Sequence, residues 1–345
     1  MALTDDPCSL EDRERRLADA SASPAGRMLR LRVPERGSVP VAPNGRPKPG
    51  VALDRELEKA IAIIADMPFE ELQGRGWHVH PKSFYWPLND LEFLRGNADL
   101  WAPKSVPQDI KWDLDTQLDL MRDLAAFASE LSDVPEQGGG KGRFAWDNGA
   151  FGKVDALAYY GIVRKLEPNR VVEVGIGASS LLLKRAISAN GRKTKVTLIE
   201  PYPRWEMLGE LPSDWTLHER ILQRADLKIF ESLEAGDVLF YDGSHCVSTA
   251  SDVNWMLFEI LPRLSPGVWI HFHDIFWPFD YPAGWIFNEG LSWNEQYALQ
   301  AFLMNNTAYR VKLALRMLNE ERREAMAEFV RQPRGGGSVW IEKAV

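Results

Sequence analysis

Residues 171–180 read VVEVGIGASS, and this stretch decides the fold. Three valines around Glu173 make a short β-branched run, Gly175 and Gly177 follow, and small residues open the apolar helical pattern Leu181–Ala189. A strand that ends in a glycine turn and enters a helix is the repeating unit of a parallel sheet with crossover helices. Working outward, Val196–Ile199, Trp215–Ile221, Val238–Tyr241 and Val268–Phe272 read as further strands. Between the last two, Thr249 and Asp252 have capping-box spacing, and Val253, Met256, Ile260, Leu261 and Leu264 line one helical face before Pro266-Gly267 stops it. Ser292 and Glu295 repeat the capping spacing before a helix through Phe302, and Tyr309–Leu315 and Ser338–Ile341 read as two last strands. The order predicts an α/β doubly wound sheet that closes with an antiparallel edge.

Toward the N-terminus the pattern is helical. Leu53, Leu57, Ile61 and Ile64 recur at helical spacing, as do Ile110, Leu114, Leu118, Met121 and Ala125, with an aromatic and Pro-rich stretch Trp77–Trp101 between them. A helical unit is expected over 51–136, ended by the glycine run Gly138–Gly140, with the sheet domain over 145–345. Residues 1–50 mix Arg, Asp, Pro, Ser and Gly without apolar periodicity and read as a loosely packed arm.

Composition bounds the function. The 345 residues are 45% hydrophobic and 26% charged, which describes a globular protein. With 41 basic against 49 acidic residues the net charge is −8, which argues against a binder of nucleic-acid backbones. Cys8 and Cys246 cannot build a disulfide framework, so a reducing compartment is expected. No run approaches the roughly 20 apolar residues of a membrane span, and the first residues lack a signal-peptide pattern, so the expectation is a cytoplasmic protein without a membrane partner. Thirteen Trp residues serve either a buried core or an aromatic-lined pocket.

In open parallel sheets ligands sit beyond the carboxyl ends of the strands. After strand one, the turn from Glu173 through Gly175, Gly177 and Ser179 permits close backbone approach at a helix N-terminus. After strand two, Glu200 stands at a spacing that suits the two hydroxyls of a ribose. After strand four come Asp242-Gly-Ser-His245, and after strand five His271-Phe-His273-Asp274. His245 or His273 can act as a general base. Alternatively Asp242, His273 and Asp274 can hold a divalent ion; the metal-free base is preferred. His271 shares a strand face with His273 and reads as a hydrogen-bonded core residue, and His78-Val-His80 as part of a loop.

With Glu173-x-Gly175-x-Gly177, Glu200 and Asp242 in place, the chain resembles the class I S-adenosylmethionine-dependent methyltransferases. The longer run GDVLFYDGSHCVSTASDVNWMLFEILPRLSPGVWIHFHDIFWPFDYP, Gly236 to Pro282, is similar to a branch that modifies small molecules, including sugars and other natural products, at oxygen. The resemblance implies a Rossmann-like seven-stranded sheet with an antiparallel last strand. It implies that Glu173, Gly175, Gly177 and Ser179 hold the methionine end of the cofactor and Glu200 its ribose. Asp226 would border the adenine, Tyr202 would stack on it or serve packing, and Asp242 would also bind the cofactor. Metal-dependent relatives of this layout carry an acid-amide or acid-acid pair after strand five, where this chain has His273-Asp274, so Mg²⁺ is not favoured. The expected reaction is methyl transfer to an oxygen, or less readily a nitrogen, of a small-molecule acceptor. His245 or His273 would be the base and Asp274 a partner, and the aromatics Phe276–Phe287 would form an acceptor loop or a satellite core. The rivals are a nicotinamide-dependent oxidoreductase and an inactive binding scaffold. The N-terminal helices are expected to form a homo-oligomer or to cover the acceptor.

Overall fold

The computed structural model describes residues 55–79, 82–83, 85–138, 140–329 and 335–345. The chain divides into two compact units, Met1–Trp86 and Pro87–Val345. The expected arm over 1–50 lies outside the described residues, as do Leu53 and His80. In the first unit, helix α1 (Arg55–Asp66) carries Ile61 and Ile64, and the helix Phe69–Gly74 buries Leu72. His78 packs edge-on against Phe69 at 6.0 Å.

The second unit begins with two short helices, Leu91–Gly96 and Ala98–Trp101, inside the aromatic and Pro-rich stretch. The first is capped by Asp90, whose carboxylate accepts from the N–H groups of Glu92 and Phe93. Helix α2 (Leu114–Ala125) buries Met121 and Leu124 against α3 (Lys153–Leu166). The two helices touch at Gly161, where an added methyl group would lie 2.7 Å from Leu124 Cβ. Gln117 Oε1 accepts from Ala314 N at 2.8 Å and so ties α2 to the sheet. The two units meet in sequence at Trp86 and Pro87, and α2, Gly138 and Gly140 belong to the sheet-bearing one.

Seven strands form one sheet in the order β3-β2-β1-β4-β5-β7-β6. They are β1 (Arg170–Val174), β2 (Lys195–Ile199), β3 (Thr216–His218), β4 (Val238–Tyr241), β5 (Trp269–Phe272), β6 (Tyr309–Ala314) and β7 (Val339–Lys343). The first five are parallel, and β7 runs antiparallel between β5 and β6. This is the Rossmann-like, doubly wound sheet with an antiparallel last strand that the sequence predicts. Side chains alternate across each strand, so Val171 and Phe240 pack under α2, α3 and α4 (Ala178–Asn190), while Val172 and Leu239 face the opposite layer. In register across four strands, Glu173, Phe240, His271 and Trp340 form one row on the first face. Chain order reverses between β1 and β4, which opens a crevice at their carboxyl ends.

Three local readings are corrected. Strand β3 ends at His218 instead of Ile221, because Arg220 N turns back onto His218 O and Glu200 N takes the same carbonyl. The helix after β4 is capped by Ser251, which accepts from Asn254 N, and not by Thr249. It also changes pitch, from α5 (Asp252–Trp255) to a π turn at Met256–Ile260 and a 3₁₀ turn at Leu261–Arg263. Pro262 lies in that last turn and has no N–H to continue an α-helix. Helix α6 (Glu295–Leu303) starts at Glu295 with Asn294 before it, and Ser292 Oγ instead accepts from Asn89 N at 3.0 Å. Among the described residues no helix is long and apolar enough to cross a membrane.

Candidate active site

The glycine turn is built by Gly175, whose φ is +78°. A methyl group there would lie 1.8 Å from Asp242 O, so the β1 turn and the β4 loop meet backbone to backbone. Only glycine combines that φ with that approach. Gly177 is extended, with its nearest neighbour Met207 Cε at 3.7 Å from an added methyl, so its contribution is open space beside the turn. Ser180 Oγ accepts from Gly177 N at 3.2 Å and caps α4.

Beneath the turn, Glu173 is fully buried. Ser179 Oγ donates to its Oε1, while Oε2 has no partner. Burial raises the carboxyl pKa to about 8, against the lowering effect of the Ser179 and Ser180 hydrogen bonds. Beside it, Glu200 accepts from Tyr202 N at 2.8 Å and from Ile176 N at 3.3 Å, which brings the acid after β2 onto the β1 turn. The Tyr202 side chain is exposed. Asp226 is exposed too, and its carboxylate accepts from Lys228 N at 3.0 Å, the geometry of a turn ahead of the helix Lys228–Glu231.

At the ends of β4 and β5 the structure brings Asp242, His245 and Asp274 together. His245 Nε2 lies 3.3 Å from Asp242 Oδ1 and 3.5 Å from Asp274 Oδ2. Its Nδ1 lies 2.7 Å from Glu295 Oε2, a carboxylate buried at the start of α6. An ionised carboxylate only accepts, so Nδ1 carries a proton and Nε2 faces the two aspartates. The backbone is bent to achieve this: His245 and Asp274 have φ of 60° and 55°, a conformation that non-glycine residues adopt at a cost and that clusters at functional sites. His245 O accepts from Asn294 N and Glu295 N at 3.1 and 3.2 Å, and the Trp293 ring lies 4.3 Å from the imidazole. On the other side of the loop, Asp252 accepts from Ser244 N at 2.7 Å and from the Tyr241 hydroxyl at 3.1 Å.

These surroundings set the charges. Burial works against a cationic His245, but Asp242 and Glu295 overcome it and hold the imidazole pKa well above its usual value. Burial raises the Asp274 carboxyl, whereas Asp242 is held low because the His273 and His245 charges outweigh its burial. Burial likewise raises Glu295.

His273 is buried with Nδ1 3.3 Å from Ser338 Oγ, Nε2 3.6 Å from Asp274 Oδ1, and its ring against Phe151 at 5.2 Å. Burial pulls its pKa down, and the charges of Asp242, Asp274 and Asp155 carry it above the usual value. His271 shares the Ser338 hydroxyl at 2.8 Å and stacks on Phe240 at 3.9 Å; burial keeps it neutral. Among the described residues, the set whose ligand atoms converge, within 4.8 Å of one another, is Asp242, His245 and Asp274. This differs from the Asp242, His273 and Asp274 set read from the sequence, because the left-handed turn at His245 aims that ring at both aspartates.

Sequence reasoning missed Glu295, Asp155, Trp293 and Ser338. Glu295 carries the spacing of a capping acid, but as the first residue of α6 its side chain turns to His245. Asp155 is one acid in the otherwise apolar run Val154–Leu157, and that isolation was its only signal; it is buried and accepts from Gly337 N at 2.9 Å.

A family model described as a methyltransferase domain matches residues 172–275. An uncharacterized protein of Archaeoglobus fulgidus is 31% identical over 166 residues, spanning 45% of this chain and 73% of that protein. Among solved structures, the S-adenosylhomocysteine-bound methyltransferase PaMTH1 of Podospora anserina is 12% identical with a TM-score of 0.37, over 78% of this chain and 100% of that one. A CmcI structure with Mg and S-adenosylmethionine is 16% identical with a TM-score of 0.34, over 76% of this chain and 98% of that one. The matched methyltransferase domain runs from β1 past the end of β5, and the sheet around it has the order its strand-helix units require. The chain thus carries a methyltransferase domain over residues 172–275.

Proposed function

We propose that the protein moves the methyl group of S-adenosylmethionine to an oxygen of a small-molecule acceptor, with His245 as the proton acceptor. The observation that carries this is His245 itself, held at Nδ1 by Glu295 at 2.7 Å with Nε2 directed at the ends of β4 and β5. The cofactor supplies a methyl group already activated on a sulfonium, so the protein has to align the acceptor and manage one proton. The residues fit the cofactor: the backbone at Gly177 is open, Glu200 brings carboxylate oxygens to the turn, and the buried Glu173 Oε2 lacks a partner that the amino group of a methionine end would provide. Tyr202 and Asp226 fit less closely, since one is exposed and the other is engaged in a turn.

As the acceptor hydroxyl attacks, neutral His245 takes its proton at Nε2. The imidazolium formed is stabilised by Asp242, Asp274 and Glu295, as a buried acid stabilises the imidazolium of a hydrolase triad. His273 has a hydroxyl, Ser338 Oγ at 3.3 Å, on Nδ1 where His245 has a buried acid, and with Nε2 3.6 Å from Asp274 Oδ1 it supports the second aspartate. An oxygen acceptor is preferred over nitrogen because a hydroxyl needs this base, whereas a neutral amine attacks before losing its proton.

A second reading has its own observation, the convergence of Asp242, His245 and Asp274. One imidazole and two carboxylates suit Mn²⁺, Fe²⁺ or Zn²⁺ better than Mg²⁺, and Glu295 on the far ring nitrogen completes the support that metal-bound histidines have. Such an ion would polarise and acidify the acceptor hydroxyl.

Calorimetric titration with S-adenosylhomocysteine, followed by turnover before and after EDTA treatment and Mn²⁺ or Mg²⁺ addition, tests both readings. Micromolar cofactor binding with EDTA-insensitive turnover supports the base. Turnover that vanishes with EDTA and returns with Mn²⁺ supports the metal, and failure to bind the cofactor sinks both.

A further inference from the structure

Glu173 lies beneath the β1 turn and Glu200 beside it, with Asp242 and Asp274 at the neighbouring strand ends. These acids suit the ammonium and the sulfonium of S-adenosylmethionine, but they oppose its carboxylate, which needs a cation of its own. The sequence after Glu200 supplies one. Pro201 and Pro203 stiffen the run Pro201–Arg204, and Glu200 pins its start by accepting from Tyr202 N at 2.8 Å and Ile176 N at 3.3 Å. The far end is fixed by the short helix Trp205–Leu208. Arg204 O accepts from Met207 N and Leu208 N at 3.0 Å, and Met207 O accepts from Gly142 N at 2.8 Å.

Arg204 and Met207, three positions apart, reach the same point. A methyl group placed on Gly177 would lie 3.9 Å from Arg204 Nη2 and 3.7 Å from Met207 Cε. Gly177 immediately precedes α4, so this point also lies at the positive end of a 13-residue helix. Arg204 is exposed, and its guanidinium has no hydrogen-bond or ion-pair partner among the described residues. Its planar fork of donors has the shape that grips a carboxylate through two parallel bonds. Beneath the same turn, the buried Glu173 Oε2 lacks a partner. The turn thus offers an acid to an ammonium and a guanidinium to a carboxylate, the two charges of an amino acid.

We propose that Arg204 binds the carboxylate at the methionine end of the cofactor, with Met207 packed on its methylene chain, so that the protein recognises an amino acid as well as a nucleoside. This rests on the cofactor reading above and is independent of the base and of the acceptor.

The test is calorimetry on the full chain with S-adenosylhomocysteine, with its decarboxylated analogue, which keeps the amine, and with 5′-methylthioadenosine, which lacks both groups. The unaltered protein should bind S-adenosylhomocysteine about tenfold or more tighter than the decarboxylated analogue, the scale of a hydrogen bond to a charged group. Arg204→Gln should bring those two affinities together while binding of the decarboxylated analogue and of methylthioadenosine stays unchanged, and Arg204→Lys should keep part of the preference. If Arg204→Gln does not fold, Arg204→Lys carries the comparison, and an undiminished preference in it overturns the assignment. Equal binding of S-adenosylhomocysteine and its decarboxylated analogue by the unaltered protein would remove this assignment and leave the cofactor reading standing. A preference that survives Arg204→Gln, or an equal loss for all three ligands, would also overturn it. Failure of the unaltered protein to bind any of the three removes the cofactor reading and this assignment with it.

Discussion

The proposed function rests on His245 because three constraints act on that one side chain: a left-handed backbone, a buried acid on Nδ1 and two aspartates before Nε2. His245→Ala should lower kcat by about 10²–10⁴, the value of a general base, with S-adenosylhomocysteine affinity retained. Glu295→Gln should cost about ten- to hundredfold, the usual loss when the partner that orients a histidine is removed. The pH dependence has a definite sign. A base must be neutral, and the His245 pKa is raised, so kcat/KM should climb with pH from above the usual imidazole range to a plateau. Glu295→Gln removes part of what raises that pKa, so the climb should move to lower pH. A flat profile in both proteins would exclude His245 as the base. Legibility at this scale was uneven. Asp242, His245 and Asp274 follow strand ends and could be found by position, whereas Glu295 lies 50 residues from its partner and carries the spacing of a cap.

The elements show why local patterns located the helices and strands better than their ends. Thr249 and Ser251 are both hydroxyl residues near the start of α5, and only Ser251 has the geometry to accept from Asn254 N at 3.2 Å. Ser251→Ala should therefore cost about 1 kcal/mol, and Thr249→Ala should stay within roughly 0.5 kcal/mol, as read from urea midpoints. The turn after β1 is less forgiving. Gly175→Ala would force a methyl group to 1.8 Å from Asp242 O at a φ of +78°, so the β1 and β4 ends must separate. The expected outcome is a loss of about 3 kcal/mol or more together with cofactor binding. A variant that binds S-adenosylhomocysteine normally would show that the turn is not where the cofactor sits.

For the whole molecule, the sheet row Glu173, Phe240, His271 and Trp340 joins stability to the site. Phe240 is fully buried, stacks on His271 at 3.9 Å and on Tyr159 at 4.4 Å, and its truncation to Ala should cost about 3–5 kcal/mol. Glu173 gives global stability a pH dependence. Its folded pKa of about 8 lies above the reference value of 4.5, so between those values the native state holds a proton that the unfolded chain has released. Stability should fall as pH rises through that window, by an amount on the order of 2–5 kcal/mol. Glu173→Gln should flatten this dependence in urea titrations at pH 5.5 and 8; an unchanged slope would show that Glu173 ionises freely in the fold. The sequence by itself determined the doubly wound sheet, because alternation and glycine turns are local signals that each strand carries in a few residues. It also determined which strand ends bear polar side chains. Only the tertiary structure decided which of them meet. The convergence of His245, instead of His273, on Asp242 and Asp274 and the burial of Glu295 against His245 depend on backbone turns and on packing between segments up to 50 residues apart.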